Sequence, residues 1–252
     1  MNLSFLLRMF LLSLTLAFAA CNSADKVHDK PEHLYEEANE FEKAERYEEA
    51  IKRYTELKNR FPYSNFATKA KLSIADCYYK QESYPEAQVS YQSFRELHPR
   101  HPQVDEVVYK IGMSYFKQLP DSIDRDLTLA KDAISHFDEL ISNFRSSRYV
   151  KEARESREAA MKMMAEKENY IGNFYFVRKN CLSALPRYTT LVDQFQNIGG
   201  MEANALSRAV ICANRLGRVE IQNKYWAILK AKYSRSSEFR SEYLEAEREL
   251  RK

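Results

Sequence analysis

Small and aromatic residues of this chain fall into a spacing that recurs. Ala38, Phe41, Ala50, Tyr54 and Pro62 stand at offsets of 3, 12, 16 and 24 from the first of them. Ala75, Tyr78, Ala87, Tyr91 and Pro99 repeat those offsets 37 positions later. Polar and charged residues fill most positions between. A small residue followed three later by an aromatic marks one face of a helix, because residues three and four apart share a side. The second small residue, with an aromatic four further on, marks the facing stripe of a second helix. Small side chains let two antiparallel helices approach, the aromatics fill the space beside them, and the proline stops the second helix.

Three further copies follow. Gly112 and Tyr115 open the third, and Ala133, Phe137 and Leu140 close it after an insertion of nine residues. Gly172, Tyr175, Ala184, Tyr188 and Leu191 form the fourth without insertion. Ala209, Cys212, Ile221, Tyr225 and Ile228 form a degenerate fifth, with Leu216-Gly217-Arg218 as its internal turn. Of the five glycines, Gly112 and Gly172 take the small-residue position, and Gly199, Gly200 and Gly217 fall in turns or connections. The offsets resemble the tetratricopeptide repeat (TPR), about 34 residues long. The predicted fold is therefore all-α: a TPR-like α-solenoid of about five helix pairs, each burying its apolar face against the next.

The pattern is interrupted twice. Residues 118–128 form the loop that holds this insertion, with Asp121, Asp124, Arg125 and Asp126 in it. It lacks the turn glycine and the closing glutamate of a calcium loop. Asp124, Arg125 and Asp126 read instead as a structural loop, ordered by helix capping and an internal Arg–Asp pair. The second interruption runs from about Ser147 to Lys179, with no proline and one glycine. Tyr149, Ala153, Ala160, Met164, Ile171 and Tyr175 recur there at spacings of four and seven, which predicts one helix over 147–179 of about 45–50 Å. Such a rod divides the repeats into 33–145 and 146–236, leaving 237–252 as a charged helix or tail.

The amino-terminal pattern differs. Residues 1–20 carry Arg8 and then a twelve-residue apolar stretch, Met9–Ala20, shorter than the roughly 20 residues that span a bilayer. Phe18-Ala19-Ala20-Cys21 resembles a bacterial lipobox, which makes Cys21 the lipidation site; an ordinary secretory signal cut after Ala20 is the other reading. Residues 21–32 read as the lipidated cysteine and a polar tether, reaching about 35 Å if extended. Asn22 after the cysteine fits sorting to the outer membrane.

Composition adds exclusions. With a net charge of +3 and 30% charged residues, no strong field draws nucleic acid. Cys77, Cys181 and Cys212 lack metal spacing; a disulfide in an oxidising compartment and three free thiols are both open. His98 and His101 flank Pro99 and read as an inter-repeat turn. No phosphate loop, nucleophile elbow or zinc-protease motif appears, so no cofactor, metal or enzymatic activity is expected.

Several stretches together resemble the BamD family of outer-membrane β-barrel assembly lipoproteins. They are Asn59-Arg60-Phe61-Pro62, Tyr78-Tyr79-Lys80, Pro99-Arg100-His101-Pro102 with Asp105, and Asp124-Arg125-Asp126 followed by Ala130, Ala133 and Phe137. Ser147, Tyr149 and Ala153 match the start of the family's long helix, and the resemblance runs from Cys21 to about Tyr233. It departs at Phe61, where tyrosine is usual, and after Ser236. The resemblance implies a lipid-anchored scaffold on the periplasmic face of the outer membrane. Implied partners are a BamA-like β-barrel protein with POTRA domains, other lipoproteins of that machine, and unfolded outer-membrane proteins. It carries a partner-binding arginine onto Arg187, next to Tyr188. It also suggests a substrate groove in the front repeats, for which Arg60, Tyr63, Tyr79, Lys80 and Arg95 offer aromatic and positive groups. The alternative is a TPR lipoprotein scaffold of another envelope machine, serving pilus assembly or peptidoglycan coordination.

Overall fold

The computed structural model of the protein describes residues 30–196 and 198–251. Among these residues there are eleven helices and no strand: α1 (Pro31–Lys43), α2 (Tyr47–Arg60), α3 (Asn65–Lys80), α4 (Tyr84–Leu97), α5 (Val104–Lys117), α6 (Thr128–Asn143), α7 (Val150–Val177), α8 (Cys181–Gln194), α9 (Glu202–Arg215), α10 (Val219–Tyr233) and α11 (Arg240–Leu250). Ten of them fall into five consecutive pairs, and the fold is a TPR-like α-solenoid.

Four of the pairs turn on the same device. Glu45, Glu82, Lys179 and Gly217 each adopt a positive φ, between 58° and 66°. The next amide then reaches back five residues: Arg46 N to Phe41 O, Ser83 N to Tyr78 O, Asn180 N to Tyr175 O and Arg218 N to Ala213 O, at 2.9–3.0 Å. These are Schellman closures, which satisfy carbonyls that a helix end leaves unpaired. Glycine takes the position in one case; Glu45, Glu82 and Lys179 hold it against the steric preference of L residues.

A second device links the helices of a pair. Tyr54 Oη donates to Glu42 at 2.8 Å, Tyr91 Oη to Asp76 at 2.5 Å and Tyr188 Oη to Asn173 at 2.9 Å. All three rings are fully buried. Each contributes about 1.5–3 kcal/mol by burial, and its hydroxyl avoids the cost of an unpaired buried donor. Burial first, then the neighbouring carboxylate, pushes the Tyr54 and Tyr91 hydroxyls far above their ordinary pKa.

The chain divides into two units between Val107 and Val108. In the first, Leu34, Ala38, Ala50, Tyr54, Leu57 and Ile74 form the core between α1, α2 and α3. In the second, α7 runs 28 residues, about 42 Å at 1.5 Å per residue. It spans 150–177, slightly inside the 147–179 expected. The division falls earlier than the boundary near residue 146 that the long helix suggested, because α6 packs along α7. Leu127, Ala130 and Ala160 share a core cluster there, and Arg157 Nε reaches Asp138 at 2.5 Å. The third pair therefore belongs with the fourth and fifth.

The charged segment beyond Ser236 is a helix docked on the fifth pair. Ala246 enters the core, Tyr243 stacks on Trp226 at 5.2 Å, and Arg215 pairs with Glu249 at 2.7 Å. In this way α11 covers the outer side of the fifth pair. Among the described residues, no helix is long and apolar enough to cross a membrane.

Candidate functional site

In the second unit, α7 and α8 together position Arg187. Gly172 and Ala184 let these helices approach, and Asn180 starts α8 by accepting from Ser183 N at 3.1 Å. Arg187 then points across to α7, where Nη1 lies 3.2 Å from both oxygens of Glu168. The arginine side chain stays 43% exposed and the glutamate 19%. Nη1 alone engages Glu168 among the described residues, so a guanidinium with five donors retains capacity for a second acceptor. Tyr188, expected beside it as a partner residue, has no exposed surface. That expectation is corrected: the ring fills the helix-pair core, and its hydroxyl is held by Asn173 and by Arg208 Nη1 at 3.3 Å. Arg208 also lies over the Phe176 ring at 4.9 Å.

An exposed apolar stripe on the same helix was missed. Tyr170 is 55% exposed, Phe174 43% and Val177 69%, with Arg178 over the Phe174 ring at 3.6 Å. Their spacing of four and three was readable, but it interleaves with the buried register of Gly172 and Tyr175.

The acidic loop is ordered, though by other contacts than an Arg–Asp pair. Ser122 Oγ donates to Asp124, and Asp126 accepts from Thr128 N at 3.0 Å and Thr128 Oγ1 at 2.6 Å. These bonds hold both carboxyls below their ordinary pKa. The Lys167 ammonium of α7 donates to the Arg125 carbonyl oxygen. Arg125 forms no ion pair among the described residues, so backbone capture by Lys167 replaces the expected pair.

In the first unit, the five candidate groove residues separate. Arg60, Tyr63 and Arg95 lie at or near one end of the helix pairs; Tyr79 and Lys80 lie at the other, about 22 Å away along α3. Tyr63 is fully exposed. Arg60 pairs with Glu56 at 3.0 Å, Lys80 with Glu42 at 2.7 Å, and Tyr79 packs edge-on to Tyr84 and Tyr91. Arg95 is half-buried on α4. A depression of about 280 Å³ is lined by Ile74, Val89, Phe94 and Leu97 together with Lys58 and Lys71. Val89 and Leu97 are about 60% exposed. Sequence reasoning missed these residues because they lie off the repeated lattice.

His98 and His101 both pack on Phe94, with ring centroids 5.0 and 5.1 Å away. His98 Nε2 lies 3.5 Å from Lys71 Nζ. The described residues contain no cluster of His, Cys, Asp and Glu that could hold a metal. Cys21 lies outside the described residues.

The YfiO family, outer membrane lipoprotein, matches residues 27–227. The outer membrane protein assembly factor BamD of Neisseria meningitidis serogroup A is 27% identical over 242 residues, covering 89% of this chain and 90% of its own. That of serogroup B is 30% identical over 203 residues, covering 73% and 76%. Among solved structures, the TPR2AB-domain:pHSP90 complex of yeast Sti1 is similar with a TM-score of 0.41 and 16% identity, covering 87% and 84%. With the acidic loop, the long α7 and its partner α8 all inside the matched span, the chain belongs to the YfiO family of outer membrane lipoproteins.

Proposed function

We propose that this protein is a scaffold subunit of the machine that assembles β-barrel proteins into the outer membrane. A lipid on Cys21 anchors it, and the folded part lies in the periplasm. Its second unit docks on a POTRA domain of a BamA-like barrel protein, and its first unit receives unfolded outer-membrane proteins. Other lipoproteins of the machine share the complex.

The observation that carries the docking reading is the Arg187–Glu168 pair. The guanidinium is fixed in direction by Glu168 and remains 43% exposed. An arginine so oriented presents its remaining donors to an incoming carboxylate at little further entropic cost. For the substrate role, the depression at Ile74, Val89, Phe94 and Leu97 combines apolar walls with the ammonium groups of Lys58 and Lys71. That chemistry suits an extended segment with alternating apolar side chains and a negative charge.

Gentle detergent extraction, affinity capture of the full-length chain and mass spectrometry of what comes with it test the assignment. The expected co-purifying protein is a large β-barrel with periplasmic POTRA domains. Capture of a pilus or peptidoglycan assembly complex in its place contradicts it.

A further inference from the structure

Two of the thiols come together in the second unit. Cys181 is the first residue of α8, and Cys212 stands three residues before the end of α9. These helices pack against each other, and a connection of seven residues, 195–201, makes them antiparallel neighbours. Measured from that connection, Cys181 lies about 20 Å along α8 and Cys212 about 15 Å along α9, a difference of less than one turn. Both belong to one buried cluster; Cys212 is sealed and Cys181 is 5% exposed. Both thiols are free in this structure. Cys181 lies close enough to raise the Cys212 pKa, and Tyr188 and Arg215 lie near both sulfurs. Cys77 belongs to the core of the first unit.

We infer that Cys181 and Cys212 become joined by a disulfide that ties α8 to α9 when the chain matures in an oxidising compartment. For that compartment the inference rests on the periplasmic reading above. The oxidant is a protein disulfide of oxidising potential. One cysteine, as thiolate, attacks it and forms a mixed disulfide; the second displaces the oxidant's sulfur. An Sγ–Sγ bond forms, two protons leave, and the two electrons reduce the oxidant to its dithiol. Burial, and after it the Cys181 contact, pushes the Cys212 thiol far above its ordinary range. The exchange therefore precedes closure of the core, while the thiols are still accessible. The bond encloses 30 residues, including α8 residues around Arg187, and restrains the unfolded chain more than the folded one.

The test is peptide mapping of the mature full-length chain, alkylated on isolation from its envelope and digested without reductant. The expected product is peptide Asn180–Arg187 joined to peptide Ala209–Arg215, with Cys77 alkylated. Reductant should lower the apparent Tm by roughly 10 °C. Cys212→Ala, which keeps a small residue in the lattice, should abolish that response; mapping of the unaltered chain does not depend on this variant folding. In parallel, the reduced full chain is refolded in a glutathione redox buffer. Absence of the linked peptides after refolding overturns the inference. Linkage in glutathione, with both cysteines alkylated in the envelope sample, upholds the pairing and counts against the periplasmic reading.

Discussion

Gly172 lies so close to the ring of Tyr188 that a Cβ there would stand 2.8 Å from Cε1. The ring has no room to retreat: it is fully buried, and its hydroxyl is bonded to Asn173. Gly112 meets Phe137 in the same way, at 2.8 Å from Cε1. Close approach of paired helices thus depends on the absence of one methyl group.

Gly172→Ala should consequently lower stability, although alanine is the better helix former. Overpacking costs about 1–3 kcal/mol and the propensity gain returns about 1 kcal/mol. The net expectation is a loss of up to about 2 kcal/mol, or up to roughly 8 °C in Tm. Thermal melts monitored by circular dichroism check this; a variant more stable than the parent contradicts the packing described.

The turn closures predict the opposite sign for a glycine. Glu82 holds φ at 64° without a glycine's freedom. Glu82→Gly should stabilise the chain by about 0.5–1 kcal/mol, because it removes the left-handed strain. Gln81→Gly, at φ −85°, should destabilise it. Urea titration of the two variants separates these outcomes, and a loss of stability in Glu82→Gly contradicts the assignment of the turn.

Acid should weaken the packing around His98. Burial, then Lys71 and then His101 lower its pKa below the ordinary 6.5. A histidine whose folded pKa is depressed binds fewer protons folded than unfolded in the window just below 6.5. Its contribution is fully present above that value and is lost as pH falls through it. The Tm of the parent should therefore drop between pH 7.5 and 5.5 more than that of His98→Gln. Parallel curves for the two proteins over this range would contradict the assignment.

The helix pairs were legible because close helix contact demands small residues at fixed spacing. Ala38, Ala50, Ala75, Ala87, Ala133, Ala184 and Ala209 all have no exposed surface. The turn positions were less legible, since glutamate or lysine stands where glycine is the usual signal. The tyrosine hydroxyl bonds were hidden for another reason. Their acceptors, Glu42, Asp76 and Asn173, differ in type and lie 12 or 15 residues upstream. The surfaces proposed to bind partners were the least legible. Arg187 stands out from the sequence only through resemblance, while Val89 and Leu97 read as ordinary members of an amphipathic helix. Their exposure depends on which faces the neighbouring helices leave uncovered. Tyr188 looked available, but packing commits its ring to the core.

Capture of the barrel partner by Arg187 variants tests the central claim most directly. Arg187 is 43% exposed and Glu168 19%, so loss of this partly exposed pair should cost on the order of 1 kcal/mol, and Arg187→Glu should remain folded. The amount of POTRA-bearing barrel protein recovered with Arg187→Glu from detergent extracts should fall at least tenfold relative to the parent. Glu168→Gln should retain capture, and reversal of the facing carboxylate on the partner should restore it to Arg187→Glu. Undiminished recovery with a folded Arg187→Glu variant would contradict the account.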